Sequence, residues 1–548
     1  MRSPALRNRA ATLAAAISTL GILFGLLVPI YSDEVGWRMQ ARSAIDGGVD
    51  RFLAEACGPN TLAHPPFFIV PLRYFSGYAN LAFADPLFIR LAGVACALAW
   101  LAMLWMLIGN VSRSARERSA LSLIAFGLSA FGVLPLMLVI NRPEQPLLCA
   151  ISLALLVTLR GWGADARETS HAQAVGAAAT VVFAAAVALG YHLKGIVYAP
   201  IFVLCAVSSS RGINGRWARW IGAATILALT AIALPYWIDR FKCPADPVLA
   251  AKLAKENLAS AFFTGGSLVD KLSLAAQGAN PMTYVRLSMP APEYMSQWLP
   301  AHIVTDVNAK IWRKILNAGW VASMVLGAFS FVVAAVRAWR ARSLDLRAVA
   351  PLLLWSISTF WGITQLNKNS YEAALALPVT IMAIVLAIRA AAYGDGALRW
   401  IERLGFIVVA MAAISSAAVV TSYAKPLLVA SRQHGYVDGQ PYSLSPYGFD
   451  HVRNQIIATG RLCGIDPGQG THALLVDDVT YFPYMATWRP LHRTGVLSDW
   501  NGSITDPAAY LRSKGSSGIV LGCAYLPPEL RKMARRNGQF CCVGASSL

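Results

Sequence analysis

Apolar runs of about twenty residues recur along this chain, and that is the length a helix needs to cross the hydrocarbon core of a bilayer. About eleven such runs can be read, near 11–30, 86–108, 119–140, 144–159, 174–191, 196–208, 220–238, 317–336, 348–364, 372–388 and 404–423. In lipid the backbone has to satisfy its own polar groups, which leaves helices or a closed barrel. Runs this long are helices. The fourth and sixth are short for a span. Composition agrees, because only 14% of the 548 residues are charged and 56% are hydrophobic, where a soluble protein carries about 25% charged residues. The expected fold is mostly α: a polytopic membrane protein of about eleven transmembrane helices, with outer-face juxtamembrane helices and a small C-terminal α/β soluble domain.

The net charge of +19 could point to nucleic acid, but the basic residues form no single patch. They recur in alternate loops: Arg2, Arg7 and Arg9; Arg113, Arg116 and Arg118; Arg160 and Arg167; Arg211, Arg216 and Arg219; Arg337, Arg340, Arg342 and Arg347; Arg389, Arg399 and Arg403. That alternation is the mark of cytoplasmic loops, so the partner it implies is a lipid bilayer and no nucleic acid. The opposite short loops hold single cations, Arg142, Lys194 and Lys368. The N-terminus is then cytoplasmic, and an odd number of spans puts the C-terminus outside. A bacterial-type inner (plasma) membrane fits this arrangement. The first run leads straight into two carboxylates and is kept as a span rather than a removable signal.

Two outer loops are long, 31–85 and 239–316, and the segment 424–548 is too polar for lipid. The expected division is a transmembrane domain over 1–423 and a periplasmic or extracytoplasmic α/β domain over 424–548. Within the latter, "HALLVDD" and "SGIVLGC" read as buried strands, and "PPELRKMARRNG" reads as a helix between a Pro start and a Gly stop. Cys96, Cys149 and Cys205 fall inside apolar runs, whereas Cys57, Cys243, Cys463, Cys523, Cys541 and Cys542 fall in outer segments. Outer cysteines oxidise. The expected pairings are Cys57 with Cys243, and Cys463 or Cys523 with Cys541 or Cys542.

Chemistry-bearing residues collect at the outer ends of the spans. Asp33 and Glu34 close the first run in "IYSDEVGW". "GWRMQARSAIDGG" then reads as an amphipathic helix in the interface. His64 stands in a rigid His-Pro-Pro turn, "AHPPFF". Arg142 and Glu144 lie in "VINRPEQPLL", His192 and Lys194 in "ALGYHLKGIVYAP", and Asn367, Lys368 and Tyr371 in "NKNSYEAALALP". Each taken singly is an ordinary interfacial polar group. Together they set a carboxylate opposite three cations at one membrane level. That suits an acceptor hydroxyl, whose proton the carboxylate takes, and a phosphate leaving group, held by charge-assisted hydrogen bonds. Asp33, Glu34 and His64 could also offer hard ligands to a divalent cation, although their spacing matches no defined site.

With "SDEVGW", "AHPPFF", the "LKG" step and "NKNSYEAALALP" in this order over roughly the first 390 residues, the chain resembles integral-membrane glycosyltransferases of the C superfamily. Protein O-mannosyltransferases and the lipid A aminoarabinose transferase are members. The resemblance implies a polyprenyl-phosphate-linked sugar as donor and a glycan, lipid or protein acceptor at the outer face. It implies Asp33 as base, with Glu34 beside it. Lys194 and Lys368 would contact the donor phosphate, with Arg142 at the same level. Tyr371 would line the cavity, where His64 and His192 also fall. This chain has "DEVGW" where relatives often follow "DE" with alanine and an aromatic, which leaves the division of labour between Asp33 and Glu34 open. Two other classes remain alongside the enzyme. One is a lipid or polysaccharide transporter, against which stands the lack of an internal repeat. The other is a non-catalytic subunit of an envelope-glycan assembly complex.

Overall fold

A computed structural model describes residues 4–30, 34, 86–160, 170–192, 194–209, 216–242, 267–270, 272–273, 284–285, 309–340, 349–350, 353–357, 370–432, 449–470, 473–477, 479–484, 489–490, 506–513 and 515–548. The helices are α1 (Pro4–Phe24), α2 (Pro86–Val111), α3 (Ala115–Ser129), α4 (Leu134–Met137), α5 (Glu144–Thr158), α6 (His171–Tyr191), α7 (Lys194–Ser208), α8 (Arg216–Lys242), α9 (Ala309–Arg340), α10 (Ser370–Ala391) and α11 (Asp395–Arg432). Seven helices among the described residues are long and apolar enough to cross a membrane, and two more, α5 and α7, are apolar but shorter. The expected ninth run, 348–364, is described only at 349–350 and 353–357, where it is helical.

The expected third span, 119–140, is not one helix. It stops at Ser129, turns, and resumes as the single turn α4. Pro135 lies at the start of that turn, where a missing N–H costs nothing. The groups freed by the break find partners on α11: Gly132 N–H donates to Ser415 Oγ at 2.8 Å, and Ser416 Oγ donates to Ala130 O at 2.9 Å. A break in an apolar core survives only when its polar groups are satisfied in this way.

α10 is the buried centre, with 94% of its apolar window inside the protein. It packs against α2, α3, α4, α5 and α9. α3 lies along α11 and α1, and α5, α6, α7 and α8 form a second group. At the arginine-rich end, side chains close helix C-termini. Arg389 donates to Val111 O, the last carbonyl of α2, and Arg337 donates to Ala391 O and Ala392 O at the end of α10. Cations suit the negative end of a helix dipole. Ser114 caps α3 by accepting the N–H of Glu117 at 3.2 Å.

The C-terminal segment adds α12 (Phe449–Leu462) and a five-stranded sheet of order β2-β1-β3-β5-β4. The strands are β1 (Ala473–Val476), β2 (Arg489–Pro490), β3 (Ser516–Gly522), β4 (Arg535–Asn537) and β5 (Phe540–Gly544). β1 and β3, read as buried strands, pair in parallel at the centre. The expected helix over "PPELRKMARRNG" is corrected: only Pro528–Arg531 is helical, and the rest is β4 turning into β5. Asn537-Gly538 is a hairpin signal, and Gly538 takes φ +62°, open to glycine without strain.

Successive strand residues point to opposite faces, so the neighbours Cys541 and Cys542 serve two cores. Cys542 bonds to Cys463 at the end of α12, on one face, and Cys541 bonds to Cys523 on the other. Both pairings match expectation; Cys57 and Cys243 lie outside the described residues. The first of these two cores also contains Ile30 and Ile89, so the sheet layer packs onto the ends of α1 and α2. The chain-entropy account gives about 4.5 kcal/mol to the bridge closing 79 residues and about 3 kcal/mol to the one closing 18. Non-reducing peptide mapping should recover both bridges. The double change Cys463→Ala, Cys542→Ala should cost at least about 2 kcal/mol of stability, read as an earlier unfolding midpoint in detergent.

Candidate functional site

The site lies at the end of the helical body away from the arginine-rich loops, where α1 closes and α2, α5, α7 and α10 begin. Its first part is an ion pair with no exposed surface. Arg90, one turn into α2, donates from Nη2 to Glu34 Oε2 at 3.0 Å. The same nitrogen donates to Pro29 O at 2.7 Å, and Nη1 donates to Val139 O at 2.9 Å. Glu34 Oε1 accepts the backbone N–H of Asn141 at 2.7 Å, and Asn141 Nδ2 donates to Ile89 O at 3.2 Å. Three segments distant in sequence meet on one guanidinium. Only its planar fork offers that many fixed donors. The backbone closes in as well: a Cβ on Gly93, one turn further along α2, would stand 1.8 Å from Val139 O.

The second part begins one residue past Asn141. Arg142 lies 3.4 Å from Glu144, and Glu144 accepts from Lys194 Nζ at 2.6 Å. Lys194 also stands 3.7 Å from Glu372, and no member of this trio is more than 3% exposed. Glu144 opens α5 and Glu372 lies in the first turn of α10, where a carboxylate is favoured by the helix dipole. Lys194 opens α7, where a cation is disfavoured. The two carboxylates offset that. His192 caps the neighbouring turn, its Nδ1 accepting the Lys194 N–H at 3.1 Å, which requires that nitrogen to carry no proton.

Of the residues read from sequence, Glu34, Arg142, Lys194 and His192 are brought together here. Asp33, His64 and Lys368 lie outside the described residues, as does the interfacial stretch after Glu34. Tyr371 is placed by its backbone in the first turn of α10. The plain alternative for Arg142 and Lys194, that they snorkel to the surface, does not hold, since both are largely buried and ion-paired. As for a divalent cation, no cluster of three or more His, Cys, Asp or Glu suited to a metal occurs among the described residues. Both Glu34 oxygens already accept from N–H donors, so Glu34 does not fit as a cation ligand beside a guanidinium.

Neither a protein-family model nor a curated protein matches the sequence. Solved structures do. The chain is similar to an oligosaccharyltransferase of Archaeoglobus fulgidus. Its crystal structure with Zn and sulfate shares 15% identity at a TM-score of 0.41, covering 94% of this chain and 68% of that one. The same oligosaccharyltransferase, AglB, in complex with an inhibitory peptide and a dolichol-phosphate gives 13% identity and a TM-score of 0.42 over 94% and 69%. A form tethered to an acceptor peptide gives 13% and 0.41 over the same shares. At these values the likeness assigns no residue a role.

Sequence reading missed Arg90 and Glu372 as site residues. Arg90 is a lone charge four residues into an apolar run, and Glu372 is a carboxylate opening one. Both carried a signal, since an ionisable residue within a span is a functional candidate by default. The two-carboxylate trap around Lys194 yields a stability test. Lys194→Met takes the closer cation from buried Glu144, leaving it Arg142 at 3.4 Å, and removes the cation beside Glu372, which should cost about 3–5 kcal/mol. Adding Glu144→Gln should recover part of that loss. Thermal unfolding of the purified variants in detergent reads both.

Proposed function

We propose that this chain is a glycosyltransferase that moves a sugar from a polyprenyl-phosphate carrier to an acceptor at the outer face of the membrane. The observation that carries the reading is the belt of buried ionised groups. Glu34, Arg90, Arg142, Glu144, Lys194 and Glu372 come from the ends of five apolar helices and meet in one place. Ionisable groups collected at such a depth mark a substrate path. The motif resemblance supports the donor class. The two C-terminal disulfides support an oxidising compartment on that side, with residues 424–548 as an outer domain and 1–423 as the membrane part.

In this mechanism Asp33 takes the proton of the acceptor hydroxyl, and the freed oxygen attacks the anomeric carbon. The bond from that carbon to the phosphate oxygen breaks, and the carrier phosphate leaves with the negative charge. Lys194, Lys368 and Arg142 hold it. Glu34, sealed against Arg90, is assigned to shaping the site rather than to proton transfer.

Single-turnover transfer from a polyprenyl-phosphate sugar tests the reading. Asp33→Asn should lower the rate by about 10²-fold or more, the scale of losing a general base, while donor still binds. Lys194→Ala and Lys368→Ala should each weaken binding of a donor analogue by about ten-fold or more, as loss of a charged hydrogen bond requires. Wild-type turnover in Asp33→Asn would remove Asp33 as base. Lipid-linked sugar that crosses vesicle membranes without any bond being broken would identify a transporter instead.

A further inference from the structure

We propose that Gln145 is a further donor-binding residue, whose side-chain amide gives its N–H groups to an oxygen of the carrier-linked sugar phosphate. The inference rests on the glycosyltransferase reading and deepens its site. Gln145 follows Glu144 in the first turn of α5 and is 2% exposed. Its side chain folds back over the start of that helix, where Oε1 accepts the Arg142 N–H at 3.0 Å. A backbone N–H can only donate, so the amide oxygen faces it and the nitrogen is fixed on the other edge. Gln145 Nε2 is buried there with no hydrogen-bond partner among the described residues.

Buried polar groups are nearly always paired, and one left unpaired costs stability. The local role of Gln145 does not need the nitrogen. Closing the start of α5 takes only an oxygen, and Glu serves such capping positions as well as Gln does. A carboxylate would also suit the positive end of the helix better. The Arg142 N–H has a second acceptor in Ile140 O at 2.9 Å, so this turn does not depend on the side chain alone. What the amide adds is a neutral donor group one residue from Glu144, which pairs with both Arg142 and Lys194. An amide brings no charge that would itself need neutralising in a buried place. A phosphate or hydroxyl oxygen is the acceptor it lacks, and the backbone N–H groups at a helix start favour the same kind of ligand atom.

The test uses the full chain in detergent, with Gln145→Met, which keeps the length and removes both the cap oxygen and the donors, and Gln145→Glu, which keeps a cap oxygen and removes the donors. Affinity is measured for geranyl phosphate and for geranyl phosphate esters of a panel of hexoses and pentoses, beside the thermal midpoint of each protein. Both variants should bind the ester that the parent binds best about five-fold or more weakly, the scale of one lost buried hydrogen bond, and Gln145→Met should unfold near the parent. A matching loss for geranyl phosphate puts the amide on the phosphate, and a loss confined to the esters puts it on the sugar. Parent-like affinity in either folded variant overturns the proposal and leaves Gln145 a helix cap. Failure of Gln145→Met to fold overturns it as well, because the amide then serves the fold. If the parent itself binds none of these probes, the glycosyltransferase reading falls too, whereas parent binding with parent-like variants strikes only the role of Gln145.

Discussion

A charged guanidinium with no exposed surface sits at the first turn of a helix, the end where the dipole is least welcoming to a cation, and the surrounding structure is arranged to accommodate it. Arg90 needs acceptors, and it draws them from the end of α1, from Glu34 and from the carbonyl of Val139. Those segments are then no longer free to move independently. The close approach of Gly93 to Val139 follows from the same meeting. Without it, these ends of α1, α2 and α5 would be related by apolar packing and the hydrogen bonds of Asn141 alone, which constrain depth and tilt more loosely.

The same rule recurs at several places where polar groups enter this apolar body. The interruption after α3 is tolerated because Ser415 and Ser416 of α11 meet it. The carbonyl ends of α2 and α10 are met by Arg389 and Arg337. Lys194 is met by carboxylates at the starts of two neighbouring helices. Polar groups in low dielectric have to be paired or they cost stability. The difference between the two ends of the body is burial: Arg113 with Glu117, and Arg116 with Asp395 and Glu402, pair through side chains that reach the surface at one end, while Arg90 with Glu34 and Lys194 with Glu144 pair almost wholly buried at the other.

The C-terminal layer belongs to that second end. Its apolar core includes Ile30 and Ile89, the residues directly beside Pro29 and Arg90. Cys542 of β5 and Cys463, just past the end of α12, staple this same face. The sheet is thus packed against the joint that the ion pair makes, and braced covalently to its own helix.

The helices were legible in the sequence because burial in lipid demands about twenty apolar residues at a stretch, and the runs near 86–108, 174–191 and 404–423 state that directly. The same pattern showed that β1 and β3 are buried strands. Cys541 and Cys542 were legible as bridge partners from their place in the polar C-terminal segment. Local sequence also located the ends where Glu34, Arg142, Lys194 and His192 stand. It did not determine which of them touch. Arg90 pairs with Glu34 across 56 residues and Lys194 with Glu144 across 50, and no periodicity spans such distances. The break in α3 and the hairpin after Pro528–Arg531 were likewise decided by partners from elsewhere, Ser415 in one case and β5 in the other. An apolar run determines that a helix forms and roughly where it ends. Which buried charge neutralises which other is decided only when packing brings the helix ends together, because in low dielectric each ion must find its opposite at about 3 Å.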